Sequence, residues 1–149
     1  MCKVLIVDDE ESVRAAVQRR LRREGLKVDT ADGEVAAMAL IAEADPAYDV
    51  VLTDMVMENP DSGVNVLKAA VARDVFTEVV VLTAYGNVAN AVECMKHGAF
   101  DYVQKNAPGV DVHDKVSEKV GQALERRRAS LGTIRRMDWF SKITGSQTP

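Results

Sequence analysis

The sequence predicts a three-layer α/β fold, a doubly wound parallel sheet of five strands with helices on both faces. Two observations carry this. Five short apolar runs recur along the chain, Val4–Val7, Lys27–Thr30, Val50–Thr53, Val79–Leu82 and Tyr102–Val103. Three of them are continuous rather than alternating, as strands buried on both faces require. Segments of helical spacing fill the intervals, and repeated β-α alternation closes only by covering both sides of a parallel sheet. Val13, Val17 and Leu21 mark the first helix, stopped at Gly25. The stripe Val35, Met38 and Ala42 marks the second. Val64, Leu67 and Val71 mark the third, capped by Asp61 or Ser62. Val88, Val92 and Met95 are the expected buried stripe of the fourth, ended by Gly98, with Cys94 off that stripe. Val116, Val120, Leu124, Leu131 and Ile134 predict one long or slightly broken helix from about Val112 to Phe140.

The chain has 149 residues, 47% hydrophobic and 28% charged, which fits one folded domain and excludes whole-chain disorder or collagen. No apolar run approaches the roughly 20 residues of a membrane span. The first residues lead straight into acids, so no leader peptide is expected. Two cysteines, Cys2 and Cys94, make neither a disulfide framework nor a zinc spacing, and a reducing cytoplasm is the expected setting. Residues 1–111 carry 11 basic and 19 acidic side chains, a net −8, while residues 112–149 carry 8 and 4, a net +4. The basic segment reads as a solvated helix face, and the net charge of −4 gives no case for nucleic-acid binding.

In a fold of this kind ligands sit outside the carboxyl ends of the strands. Those ends hold Asp8-Asp9, Asp54, Thr83-Ala84 and Lys105. A lone Asp after a strand is usually a turn or cap residue. Three carboxylates, a hydroxyl and an ammonium at one edge are a different matter. Two unit charges 4 Å apart repel by roughly 4 kcal/mol at an effective dielectric of about 20, so such a cluster takes up protons or holds a cation. An all-oxygen set without His or Cys selects Mg²⁺ or a similar hard ion. Lys105 and Thr83 supply a positive charge and a hydroxyl for phosphoryl oxygens, and Asp54, alone on the middle strand, is the expected acceptor.

From Lys3 to about Leu124 the chain resembles the receiver domain of bacterial two-component response regulators. The likeness rests on Val7-Asp8-Asp9-Glu10, Leu52-Thr53-Asp54-Met55 with Met57, Leu82-Thr83-Ala84-Tyr85-Gly86, and Ala99-Phe100-Asp101-Tyr102-Val103-Gln104-Lys105. It implies the flavodoxin-like strand order 2-1-3-4-5 and a phosphoaspartate at Asp54. It implies Asp9 as a direct Mg²⁺ ligand, with Mn²⁺ as substitute, Asp8 as an orienting or water-linked acid, and the Val56 main-chain carbonyl as a further ligand. Thr83 and Lys105 then bind the phosphoryl group, and Tyr102 is the switch aromatic. The implied donor is a sensor histidine kinase or phosphotransfer protein.

Two departures stand out. Glu58-Asn59-Pro60-Asp61-Ser62 makes the loop after Asp54 one residue longer than usual and replaces a proline after Met57. Asn106 stands where the family nearly always has a proline after a cis bond. A cis bond before Asn costs about 2.5–4 kcal/mol, so a trans bond is expected, redirected by Pro108 and Gly109. On that view a proline restored at 106 should fix Lys105 more firmly. A Mg²⁺-dependent aspartyl phosphatase would need an acid two residues after the nucleophile, where Val56 stands. A flavodoxin-like carrier would need a Ser/Thr/Gly phosphate loop after the first strand, where acids stand. The expected division is a receiver at 1–124 and a helical extension with a polar tail at 125–149, giving a homodimer through the C-terminal helix. The alternative is the N-terminal fragment of a longer transcription regulator of the ATPase-activator type, hinted at by Thr83-Ala84-Tyr85-Gly86 and Ile143-Thr144-Gly145-Ser146.

Overall fold

The computed structural model describes residues 1–144; Gly145 and Ser146, and the rest of the polar tail, lie outside the described residues. Five strands, β1 (Lys3–Val7), β2 (Lys27–Ala31), β3 (Val50–Asp54), β4 (Glu78–Ala84) and β5 (Asp101–Lys105), alternate with α1 (Glu11–Arg23), α2 (Glu34–Glu43), α3 (Ser62–Arg73), α4 (Val88–Lys96) and α5 (Val112–Thr144). All neighbours are parallel, in the order β2-β1-β3-β4-β5. The winding reverses between β1 and β3, and their register pairs Val7 with Thr53. Asp8 and Asp54 therefore emerge side by side at the crevice such a reversal opens.

The continuous apolar strands divide their side chains between two cores. Leu5, Val7, Val51, Val79 and Val81 face α2, α3 and α4. Val4, Ile6, Val50, Leu52, Val80 and Leu82 face α1 and α5. Burying each such side chain contributes about 1.5–3 kcal/mol, so one charge placed here would undo several contacts. Helices α1 and α4 end in the same way. Leu26 N–H reaches Leu21 O and Gly25 N–H reaches Arg22 O, while Ala99 N–H reaches Cys94 O and Gly98 N–H reaches Met95 O. Both turns need a left-handed residue, and Gly25 (φ +88°) and Gly98 (φ +95°) supply it.

Two expected stripes are turned out of the core. In α2 the buried residues are Ala37 and Ile41, and Val35 is exposed. In α4 they are Ala91 and Cys94, while Val88, Val92 and Met95 face solvent. Cys94 is fully buried with its Sγ 3.2 Å from Met55 Sδ, and burial pushes its thiol up to about 11. For α3, Asp61 holds the cap position without a side-chain cap bond, and Ser62 Oγ instead accepts from Asn59 N–H.

Helix α5 runs 33 residues, four beyond the expected end at Phe140. Val116, Val120 and Ala123 pack on the sheet. Arg127 then grips the amino edge of the strands, Nε to Asp49 Oδ1 at 2.8 Å and Nη2 to Asp74 Oδ2 at 3.2 Å. Within the run read as a solvated face, Arg126 and Arg128 are exposed but Arg127 is mostly buried. Beyond it, Met137, Trp139, Phe140 and Ile143 are exposed.

Candidate functional site

The acids meet at the carboxyl edge of β1 and β3. Asp8 is fully buried, Asp54 nearly so, and Asp9 and Glu10 are exposed at the mouth. One oxygen from each of the four lies within 4.8 Å of the others. Asp8 is doubly held: Oδ1 accepts from Glu10 N–H at 2.9 Å, and Oδ2 accepts from Lys105 Nζ at 2.8 Å. Lys105 Nζ also donates to Asp54 Oδ2 at 3.0 Å and lies 3.7 Å from Glu10. Arg14, on α1, donates from Nη1 to the Asp8 carbonyl at 2.7 Å. Glu10 and Arg14 are the site neighbours that sequence reasoning left without a role. Glu10 is signalled by its place in the acidic run, Arg14 by nothing in the sequence.

One ammonium serves two buried carboxylates. Burial pushes the Asp54 carboxyl above its ordinary range; Lys105 draws it down, while Asp8 and Asp9 push it up again. Burial also works against the Lys105 charge, yet its bonds to Asp8 and Asp54 outweigh this and hold it above the ordinary lysine value. Asp54 thus receives only a share of the neutralisation that Lys105 supplies. The cluster therefore still favours a further positive charge, and its hard-oxygen donors fit Mg²⁺.

Thr83 sits one residue beyond Leu82, the partner of Asp54 in the β3–β4 register. It is fully buried, and its Oγ1 has no hydrogen-bond partner among the described residues. A buried hydroxyl without a partner costs about 1–3 kcal/mol. Tyr102, on β5 opposite Val81, is 37% exposed, with its ring at the surface. Val56 is exposed in the loop after β3. Gly63 brings α3 against that loop: a Cβ there would lie 2.6 Å from Asp54 O and Met55 Cα.

The Lys105–Asn106 bond is trans, as expected; among the described residues only Asp45–Pro46 is cis. Asn106 itself has φ +58°, a left-handed turn that carries the chain away from β5. Proline, locked near −65°, does not fit that backbone. Restoring a proline at 106 would therefore require this turn to change. Lys105 still reaches both acids without it.

A three-layer α/β fold with an acid pair, a third acid, a hydroxyl and a lysine at one edge has the chemistry to hold a cation beside a phosphoryl group. The profile of the response regulator receiver domain matches residues 4–126, and the chain belongs to that family. It is 39% identical to the regulatory protein AtoC of Escherichia coli over 103 residues, which cover 69% of this chain and 22% of AtoC. With the photosynthetic apparatus regulatory protein RegA of Rhodobacter capsulatus it shares 33% identity over 81% of this chain and 64% of RegA. A receiver domain protein from Clostridium thermocellum superposes with a TM-score of 0.75 at 29% identity, covering 87% of this chain and 98% of that one. NtrX from Brucella abortus does so at 0.77 and 26%, covering 88% and 29%. The chain thus spans about a fifth of AtoC and under two thirds of RegA.

Proposed function

We propose that Asp54 is the phosphoacceptor and that this receiver catalyses its own phosphorylation and dephosphorylation with Mg²⁺. The observation that carries the reading is Lys105 Nζ bridging Asp8 and Asp54, with the unpartnered Thr83 Oγ1 at the end of the next strand. Asp8, Asp9, Asp54 and the Val56 carbonyl would hold the ion, whose charge would offset that gathering on the transferred phosphoryl group. An Asp54 oxygen attacks phosphorus in line as the bond to the donor breaks, and the donor leaves with that electron pair. Lys105 then moves its hydrogen bond from Asp54 to a phosphoryl oxygen, and Thr83 donates to another. Tyr102 turns toward the space Thr83 vacates. In the cell the donor is a sensor histidine kinase or phosphotransfer protein, and the setting is cytoplasmic. No described helix is long and apolar enough to cross a membrane.

Acetyl phosphate should yield one phosphoryl adduct by intact mass, dependent on Mg²⁺ or Mn²⁺ and abolished by EDTA. The adduct should vanish in Asp54→Asn. An undiminished adduct in that variant would move the acceptor elsewhere.

We further propose residues 1–124 as the receiver and 125–149 as an extension, helical through Thr144, that belongs to a longer regulator. Supporting this are AtoC and the C4-dicarboxylate transport transcriptional regulatory protein DctD of Pseudomonas aeruginosa, of which the chain covers 22% and 26%. The exposed Met137, Phe140 and Ile143 favour a homodimer through α5. Sedimentation should show the full chain as a dimer and a version stopped at Arg128 as a monomer. Two monomers, before and after phosphorylation, would remove the dimer.

A further inference from the structure

Helix α2 begins at Gly33, which has no side chain to cap it. The first turn of a helix presents N–H groups with no partner inside the helix. Here the Glu34 N–H donates to Glu58 Oε1 at 2.6 Å, a residue 24 positions further along, in the loop between β3 and α3. The bare Gly33 makes the approach available: a Cβ at that position would lie 2.7 Å from Glu58 Oε1 and 3.1 Å from Oε2. A second link ties the same corner to α3, Asn65 Nδ2 donating to Glu34 Oε1 at 3.2 Å.

The loop that Glu58 tethers has few other holds. Met55 is fixed at one end, its N–H on Leu82 O and its carbonyl accepting from Gly63 N–H, both at 2.9 Å. Asn59 is fixed at the other, its N–H on Ser62 Oγ at 3.1 Å. Between them Val56, Met57 and Glu58 make no backbone hydrogen bond among the described residues. Met57 packs on the core, which fixes depth but not direction. A carboxylate ligand can be re-aimed by its own side-chain rotation, whereas a main-chain carbonyl is aimed only by the backbone that carries it. The Val56 carbonyl lies two residues before the tether.

We infer that Glu58 is a positioning residue for the metal loop: by capping α2 across the two loops, it aims the Val56 carbonyl at the acidic cluster. This rests on the reading of that cluster as a Mg²⁺ site. Glu58 stands where the sequence lacks the proline expected after Met57, and the carboxylate bond restrains the longer loop in its place. The bond is charge-assisted and lies at the positive end of the helix dipole.

The test uses the full chain with Mg²⁺ alone, titrated calorimetrically, and then acetyl phosphate at saturating Mg²⁺. Glu58→Ala removes the tether. Gly33→Ala leaves the loop sequence intact and displaces only the flexible end of Glu58; its extended backbone (φ −177°) accepts any residue. Each should weaken Mg²⁺ binding by roughly tenfold, the lower end for loss of an outer-shell partner. The phosphorylation rate at saturating Mg²⁺ should stay near the parent's, a split that general loosening of the fold would not give. Glu58→Gln keeps the acceptor oxygen and should retain most of the affinity. If Gly33→Ala is folded and binds Mg²⁺ as the parent does, Glu58 has no positioning role. A parent that neither binds Mg²⁺ nor takes a phosphoryl group overturns the site reading as well; a competent parent with an unaffected Gly33→Ala overturns Glu58 alone.

Discussion

Lys105→Met should destabilise the metal-free protein by about 3–5 kcal/mol, the cost of removing one partner from a buried ion pair. Two acids depend on this ammonium, at 2.8 and 3.0 Å, and Asp8 has no exposed surface. Without Lys105 both carboxylates remain and lose the ammonium that bonds them. Methionine keeps the length and apolar body of the lysine, so the loss reports charge rather than packing. The pH dependence has a definite sign. The Asp54 carboxyl already lies above its ordinary value of 3.8 in the folded state, and loss of Lys105 moves it further in the same direction. The folded variant then binds protons more readily than the unfolded chain. Its deficit should be small near pH 4 and should grow as pH rises through the folded-state value. Urea denaturation in EDTA at several pH values measures this, and millimolar Mg²⁺ should recover much of the loss at neutral pH. A deficit below about 1 kcal/mol at neutral pH would mean that Lys105 does not neutralise the pair.

Thr83→Val should have effects of opposite sign on stability and on signalling. The Thr83 hydroxyl is buried without a partner among the described residues, so an apolar group of the same shape should leave the resting protein as stable, or more stable by about 1 kcal/mol. The phosphorylated protein, by contrast, loses the hydroxyl proposed to meet the phosphoryl group. Asp54 should still be phosphorylated, while the change near Tyr102 that accompanies it, followed by NMR, should be largely lost. A resting-state loss above about 1 kcal/mol would show that the hydroxyl already has a stabilising role before phosphorylation.

Strands and strand-end acids were legible because a parallel sheet leaves a plain mark. Val50-Val51-Leu52 and Val79-Val80-Val81-Leu82 have no polar face to hide, and the residues just after each run lie at one edge. Helix phase was less legible. In α4, Val88, Val92 and Met95 obey helical spacing, and so do Ala91 and Cys94. Side-chain size favours the first set, but the second is the one the fold buries. In α2, eight of the ten residues between Glu34 and Glu43 are apolar, so spacing alone could not choose a face. Contacts between residues far apart in sequence were beyond reach for another reason. Nothing near Glu58 points to Glu34, and nothing in Glu125-Arg126-Arg127-Arg128 marks the middle arginine as the one that grips Asp49 and Asp74.

That grip has a mechanical consequence. The acidic cluster lies at one edge of the sheet, and Arg127 is fastened at the opposite edge. From Val112 to Arg127 the helix covers roughly 22 Å, and from Arg127 to Thr144 roughly 26 Å, at about 1.5 Å per residue. Arg127 thus stands near the middle of the helix, at the point where its packed arm ends. Val116, Val120 and Ala123 seat the first arm on the sheet and Arg127 fastens its far end, so the direction in which the second arm leaves is set by the domain. Met137, Phe140 and Ile143 are exposed on that second arm. Arg127→Ala would loosen the junction between the two arms without touching the site.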